Sequence, residues 1–108
     1  MIISTSYEIP GKDVAEILGV VRGNTIRARA VGKDIMAGLR NLVGGEITEY
    51  TKMVAESREQ ALDRMIAEAR ALNADAVIGV RFMTSSMMQG AAELLAYGTA
   101  VRLADQAG

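Results

Sequence analysis

The chain contains neither cysteine nor histidine. That removes disulfides, thiol redox chemistry and thiolate metal sites, together with the commonest general base and the commonest metal ligand. A soft or borderline cation is left with methionine sulfur and carboxylate oxygen. Met83, Met87 and Met88 form a loose cluster that could hold a cuprous ion, but Met more often fills gaps in a core or a subunit interface. The pairs Glu46/Glu49 and Glu56/Glu59 could meet a hard cation, and at helical spacing they read first as a solvated face. Ser85 and Ser86 have no histidine to activate them, and Lys12, Lys33 and Lys52 lie far from them in sequence. Gly44-Gly45 lacks the downstream Lys-Ser/Thr of a phosphate loop, and Gly19 and Gly23 fall within a strand. No residue is therefore assigned a catalytic or metal-ligating role, no cofactor is expected, and the chain reads as a non-enzyme.

The remaining chemistry is charge. Arg22, Arg27, Arg29 and Arg81 are strand arginines without a sequence-local partner. Several copies of them around a symmetry axis could bind an anion or another small ligand; salt bridges between subunits are the plainer reading. Glu93 could transfer a proton if it were buried beside Arg81 or Arg102. Its plainer role is an ion pair tying neighbouring strands or subunits together.

These residues need elements to position them. Residues 1–6 read as a short extended segment ended by the turn pair Pro10-Gly11. Residues 17–31 are β-rich, with Arg27 and Arg29 alternating against Ile26, Ala28 and Ala30. Gly23-Asn24 in their middle fits either a two-residue hairpin turn or a bulge in one long bent strand, and the bulge is preferred. A short helix is expected over 34–43 with Asp34 as its N-cap. A long helix follows over 48–72, with Tyr50, Met53, Val54, Ser57, Ala61, Met65, Ala69 and Leu72 on one face and Asn73 as a left-handed C-cap. Two strands, 76–86 and 93–103, close the chain, with residues 85–90 as the hairpin connection.

The expected fold is α+β, a two-layer β-α-β-β unit: one long helix on an antiparallel three-stranded sheet of order 1-3-2. Gly79, Ala96, Gly98 and Ala100 are small, and they are expected on an open sheet face that another backbone approaches. At 108 residues the chain is one domain, 1–108. Its only aromatics are Tyr7, Tyr50, Phe82 and Tyr97, so its core has little volume per side chain and would gain from apolar surface shared with a second copy. The net charge is −1 with the signs interspersed, so there is no basic stripe to neutralise phosphates and nucleic acid is not an expected partner. No stretch approaches the ~20 apolar residues of a membrane span, and the N-terminus lacks a signal peptide's pattern. The cytoplasm is the default location.

The run Leu18-Gly19-Val20-Val21-Arg22-Gly23 carries a resemblance, with Gly44-Gly45-Glu46 and the helical Glu56-Ser57-Arg58-Glu59-Gln60-Ala61. So do Ala69 with Leu72, the stretch Asn73-Ala74-Asp75-Ala76-Val77-Ile78-Gly79-Val80-Arg81-Phe82, and Ala96-Tyr97-Gly98-Thr99-Ala100-Val101. Together they resemble the YbjQ-like family of small bacterial and archaeal proteins, often labelled heavy-metal-binding domains, over nearly the whole chain. The resemblance implies a dodecin-like subunit assembled as a pentameric ring, with residues 1–6 as an inter-subunit strand. It implies no catalytic motif. Three functions are expected, in this order: a ring-forming binding or scaffold protein without catalysis, a metal-handling protein, and an enzyme using carboxylate and arginine groups at subunit boundaries.

Overall fold

The structure, a computed structural model, describes residues 1–28, 45–88 and 91–106. The short helix expected over 34–43 lies outside the described residues. Strand β1 (Ile2–Ile3) and strand β2 (Lys12–Ala28) precede helix α1 (Gly45–Ala71), and strands β3 (Ala76–Met88) and β4 (Ala91–Asp105) follow. The three long strands pair antiparallel, with the last between the first two, as the alternation and the helical crossover predict. The sheet is nevertheless four-stranded and mixed, because β1 adds to the outer side of β3 in parallel, giving the order β1-β3-β4-β2.

Residues 2–6 thus pair with the same chain's β3. The Ser4 N–H donates to Val77 O at 3.0 Å, Gly79 N–H to Ser6 O at 2.9 Å and Val80 N–H to Ser4 O at 3.0 Å. In this chain the segment pairs with its own β3, and β1 ends the sheet on that side. Pro10-Gly11 makes the tight turn into β2, with Gly11 at φ 81° and Lys12 N–H donating to Ile9 O at 3.0 Å. That is the geometry of a type II turn, in which only glycine is comfortable at the third position.

Gly23-Asn24 is neither a turn nor a bulge. The strand runs through it in regular register, Gly23 opposite Ala96 and Asn24 opposite Leu95; the irregularities of β2 fall earlier, between Val14 and Glu16 and between Ile17 and Gly19. The glycine has a packing cause. A Cβ on Gly23 would overlap the Ala61 carbonyl oxygen and the Met65 amide nitrogen, and would sit 2.8 Å from Arg64 Cβ. Helix α1 crosses β2 here at backbone contact.

The same close approach decides which face is which. Ser57, Ala61, Met65 and Ala69, spaced four apart on α1, are buried against Val21, Val77, Val80, Ala96 and Ala100. Ala96, Gly98 and Ala100 therefore face the chain's own helix, which corrects their placement on an open face. Thr25 is buried on this side too, its hydroxyl donating to Ser57 O at 3.4 Å. Val54 and Leu72, expected on the buried stripe, are exposed at either end of it.

Helix α1 ends as its sequence predicts. Asn73 takes φ 61°, its N–H donates to Arg70 O at 2.9 Å, and Ala74 N–H donates to Ala69 O at 3.1 Å. These two bonds make a Schellman cap. Asp75 Oδ2 then accepts Leu103 N–H at 2.8 Å, and Arg102 Nη1 donates to Asn73 O at 2.6 Å, fastening the cap to β4. The final hairpin is tighter than expected: β3 continues to Met88 and β4 begins at Ala91, so Ser85 and Ser86 are strand residues paired with Glu93 and Ala92.

Replacing Gly23 with alanine drives a methyl group into the backbone of α1, which a side-chain rotation cannot relieve. The expected loss is about 3 kcal/mol, the upper end for overpacking, read as a lower urea midpoint by circular dichroism. Gly11→Ala meets nothing within 4 Å, so its cost is limited to the positive φ, about 1–2 kcal/mol.

Candidate functional site

With α1 on one face, the residues alternating with the buried set lie on the other. Register places them in cross-strand rows. Ile17, Val101 and Ala76 form one row, Val20, Thr99 and Ile78 the next, and Arg22, Tyr97 and Arg81 the third. Asn24, Leu95 and Met83 follow, then Ile26, Glu93 and Ser85. Ala76, Ile78 and Val101 make a small second cluster with Ile9 and Leu103. Beyond it the apolar side chains are bare: Ile17 is 70% exposed, Val20 63%, Ile26 55% and Met83 53%.

The tertiary structure brings two of the candidate arginines into one row. Arg22 on β2 and Arg81 on β3 flank Tyr97 on β4. Arg81 is held in place: its Nη1 donates to Thr5 O at 2.9 Å and to Val80 O at 2.8 Å, and its guanidinium lies 5.6 Å from the centroid of the Tyr7 ring. Tyr7 itself rests on Gly79, where a Cβ would come within 2.6 Å of the ring. Gly79 has φ 61° and lies in the β3 bulge between Ile78 and Arg81, so the strain-free glycine makes room for the aromatic ring. Among the described residues neither Arg22 nor Arg81 meets a carboxylate, and Arg22 makes no hydrogen bond.

The other candidates separate from this row. Glu93 does not pair with Arg81 or Arg102; its Oε2 accepts the Asn24 amide at 3.1 Å, two rows from the arginines. Arg102 is spent on the helix cap. Arg27 lies near the far end of β2, opposite Ala92, and Arg29 lies outside the described residues. Of the methionine cluster, Met83 is on the open face, and the side chains of Met87 and Met88 lie outside the described residues. Sequence reasoning missed Tyr7 and Tyr97. Their scarcity was the available signal, since two of the chain's four aromatics converge on this row.

One ion pair closes the end of the sheet, where Lys12 Nζ contacts Asp105 Oδ1. The hydrogen bond from Lys12, and secondarily its charge, hold the Asp105 carboxyl below its usual value of 3.8. A carboxyl whose folded pKa is lowered stabilises the fold above its unfolded pKa, and that contribution is lost as pH falls through the lower folded value. Lys12→Met should therefore return the Asp105 titration midpoint upward towards 3.8, followed by NMR of its side-chain carbon, and remove the stabilisation that the pair contributes above that pH.

No helix among the described residues is long and apolar enough to cross a membrane. A family model described as "Putative heavy-metal-binding" matches residues 1–104. The chain is 66% identical over 103 residues to a UPF0145 protein of Archaeoglobus fulgidus, with 95% of each chain covered. A UPF0145 protein of Thermus thermophilus is 59% identical over 95% of this chain and 90% of its own, and one of Psychromonas ingrahamii is 53% identical over 95% and 98%. A crystal structure from Pediococcus pentosaceus, of unknown function and assigned to the DUF74 family, superposes with TM-score 0.64 at 19% identity. It covers 96% of this chain and 98% of its own, and supports the fold alone.

The family description invites a test against the residues present. Heavy-metal sites are built from thiolate and imidazole, and the chain has neither. Among the described residues no group of three or more acidic side chains converges. Met83 stands exposed in a row with Asn24 and Leu95, and neither neighbour is a ligand for a soft cation. The described residues do not fit a heavy-metal site. Matched from residue 1 to 104, and more than half identical to relatives from archaea and bacteria alike, the chain belongs to the YbjQ family of UPF0145 proteins.

Proposed function

We propose that the protein is the subunit of a ring-forming homo-oligomer, a pentamer, that acts in the cytoplasm as a binding or scaffold protein without catalysis. The observation that carries this reading is the open sheet face, where Ile17 is 70% and Val20 63% exposed. A neighbouring copy would take both side chains out of water. A ring gives each subunit two interfaces, against one in a two-fold dimer.

The sheet supports the same geometry. β2 forms one edge along its whole length, and β3 past residue 80 is not covered by β1 on the other. The two edges are different surfaces, so contact between them is head-to-tail and closes by rotation. Apolar exposure recurs along the same face at Ile26 and Met83, more than single scattered surface hydrophobics. Five subunits is the number that the family resemblance implies.

Native mass spectrometry and sedimentation velocity on freshly purified protein should give a single species of five subunits; a stable monomer across the micromolar range overturns the proposal. Ile17→Lys should shift that species toward monomer while leaving the circular dichroism spectrum unchanged, since the side chain is 70% exposed in the isolated subunit. The non-metal reading is checked separately. Titration with Cu(I), Zn(II) and Ni(II) should give no saturable binding at micromolar concentration, and saturable binding would favour the metal-handling alternative.

A further inference from the structure

The row Arg22–Tyr97–Arg81 is out of place on an assembly surface. It divides the apolar face, with Val20, Thr99 and Ile78 on one side of it and Asn24, Leu95 and Met83 on the other. Its two guanidinium groups belong to strands separated by β4, so their Cα atoms stand roughly 10 Å apart, two strand spacings. A neighbouring copy that covers the flanking rows also takes both charges out of water, and a buried charge without a counter-ion is strongly unfavourable. Among the described residues neither arginine meets a carboxylate, and Glu93, two rows away on this face, accepts from Asn24.

The two arginines are also unequal in a useful way. Arg81 is fixed by the carbonyls of Thr5 and Val80 and by the Tyr7 ring, which leaves its Nη2 with only a 3.5 Å contact to the Tyr7 hydroxyl. Backbone carbonyls orient the group without cancelling its charge. Arg22 is exposed and partnerless among the described residues, free to swing. A fixed and a mobile guanidinium on one row, with phenol hydroxyls on Tyr7 and Tyr97, form a donor set for an oxyanion. The planar guanidinium fork matches carboxylate and phosphate oxygens two at a time.

We propose that Arg22 and Arg81 together bind a small oxyanion, a phosphate or carboxylate group, on the open sheet face, and that this binding promotes assembly. The linkage rests on the ring-forming reading above. A ligand that binds the assembled form more tightly than the separate subunits stabilises the assembly by mass action. The ion that neutralises the row then serves as part of the interface, and the ring responds to its concentration.

The test is sedimentation velocity over a dilution series, with inorganic phosphate exchanged for chloride at constant ionic strength. Phosphate at millimolar concentration should lower the protein concentration at which the oligomer dissociates by about tenfold, the response of a site filled to ten times its dissociation constant. Arg22→Gln should abolish that response, and because Arg22 supports no described contact, the variant keeps its fold. Arg81→Gln should do the same, with circular dichroism reporting whether the N-terminal segment has been disturbed. An oligomer that ignores phosphate overturns the site. If Arg22→Gln and Arg81→Gln then each weaken that oligomer, the counter-charge is a carboxylate of the neighbouring copy. If neither does, the row plays no part in assembly. A chain that stays monomeric at every phosphate concentration overturns the ring itself, and the linkage with it, so the two failures are told apart by whether an oligomer is present.

Discussion

The backbone-to-backbone approach of α1 and β2 at Gly23 is the constraint on which the rest of the subunit depends. A helix usually stands off a sheet by the length of the side chains between them, yet here Ala61 and Met65 meet the strand where no Cβ intervenes. The remaining seam is made of matching small residues, Ala69 on the helix and Ala96 and Ala100 on β4. Met65, Val21 and Val77 are the larger side chains that fill what space is left. The resulting core is shallow. It holds through close packing of many small groups, since dispersion contacts are individually weak and collectively large.

A shallow core on one side leaves the other side of the sheet to find its own cover. The helix uses up the glycines and alanines, so the larger apolar side chains, Ile17, Val20, Ile26, Met83 and Leu95, alternate onto the opposite face. Period-two alternation makes the two faces complementary in this sense: small residues chosen for the helix fix where the bulky ones must point. The bare apolar rows of the subunit therefore share one cause with the tightness of the helix contact.

The charged row follows from the same register. The bulge in β3 at Gly79 brings Arg81 opposite Tyr97, and the bulge in β2 between Ile17 and Gly19 brings Arg22 there too. Without those single extra residues the side chains would fall on the helix face, because a slip of one residue reverses every side chain beyond it. Tyr7, seated on Gly79, links the N-terminal segment to the arginine it supports. Local irregularities in two strands, rather than any motif, thus bring two arginines into one row of the open face.

The sequence alone determined the elements, because their causes are local. The four-residue spacing of Ser57, Ala61, Met65 and Ala69 specified α1, Asn73 specified its cap, Pro10-Gly11 specified the turn, and alternation specified the long strands and their antiparallel order. It also determined which chemistries are absent, since that follows from composition. The tertiary structure alone decided what the small residues are for. Gly23, Ala96, Gly98 and Ala100 read equally well as a seam for a second chain or for the chain's own helix, and only three-dimensional proximity distinguishes the two. It likewise decided that residues 2–6 pair with β3, a parallel contact across more than seventy residues that no local pattern encodes. The arginine row was hidden for a related reason: Arg22, Arg81 and Tyr97 become neighbours through register, and register depends on bulges whose positions are set by packing against distant partners.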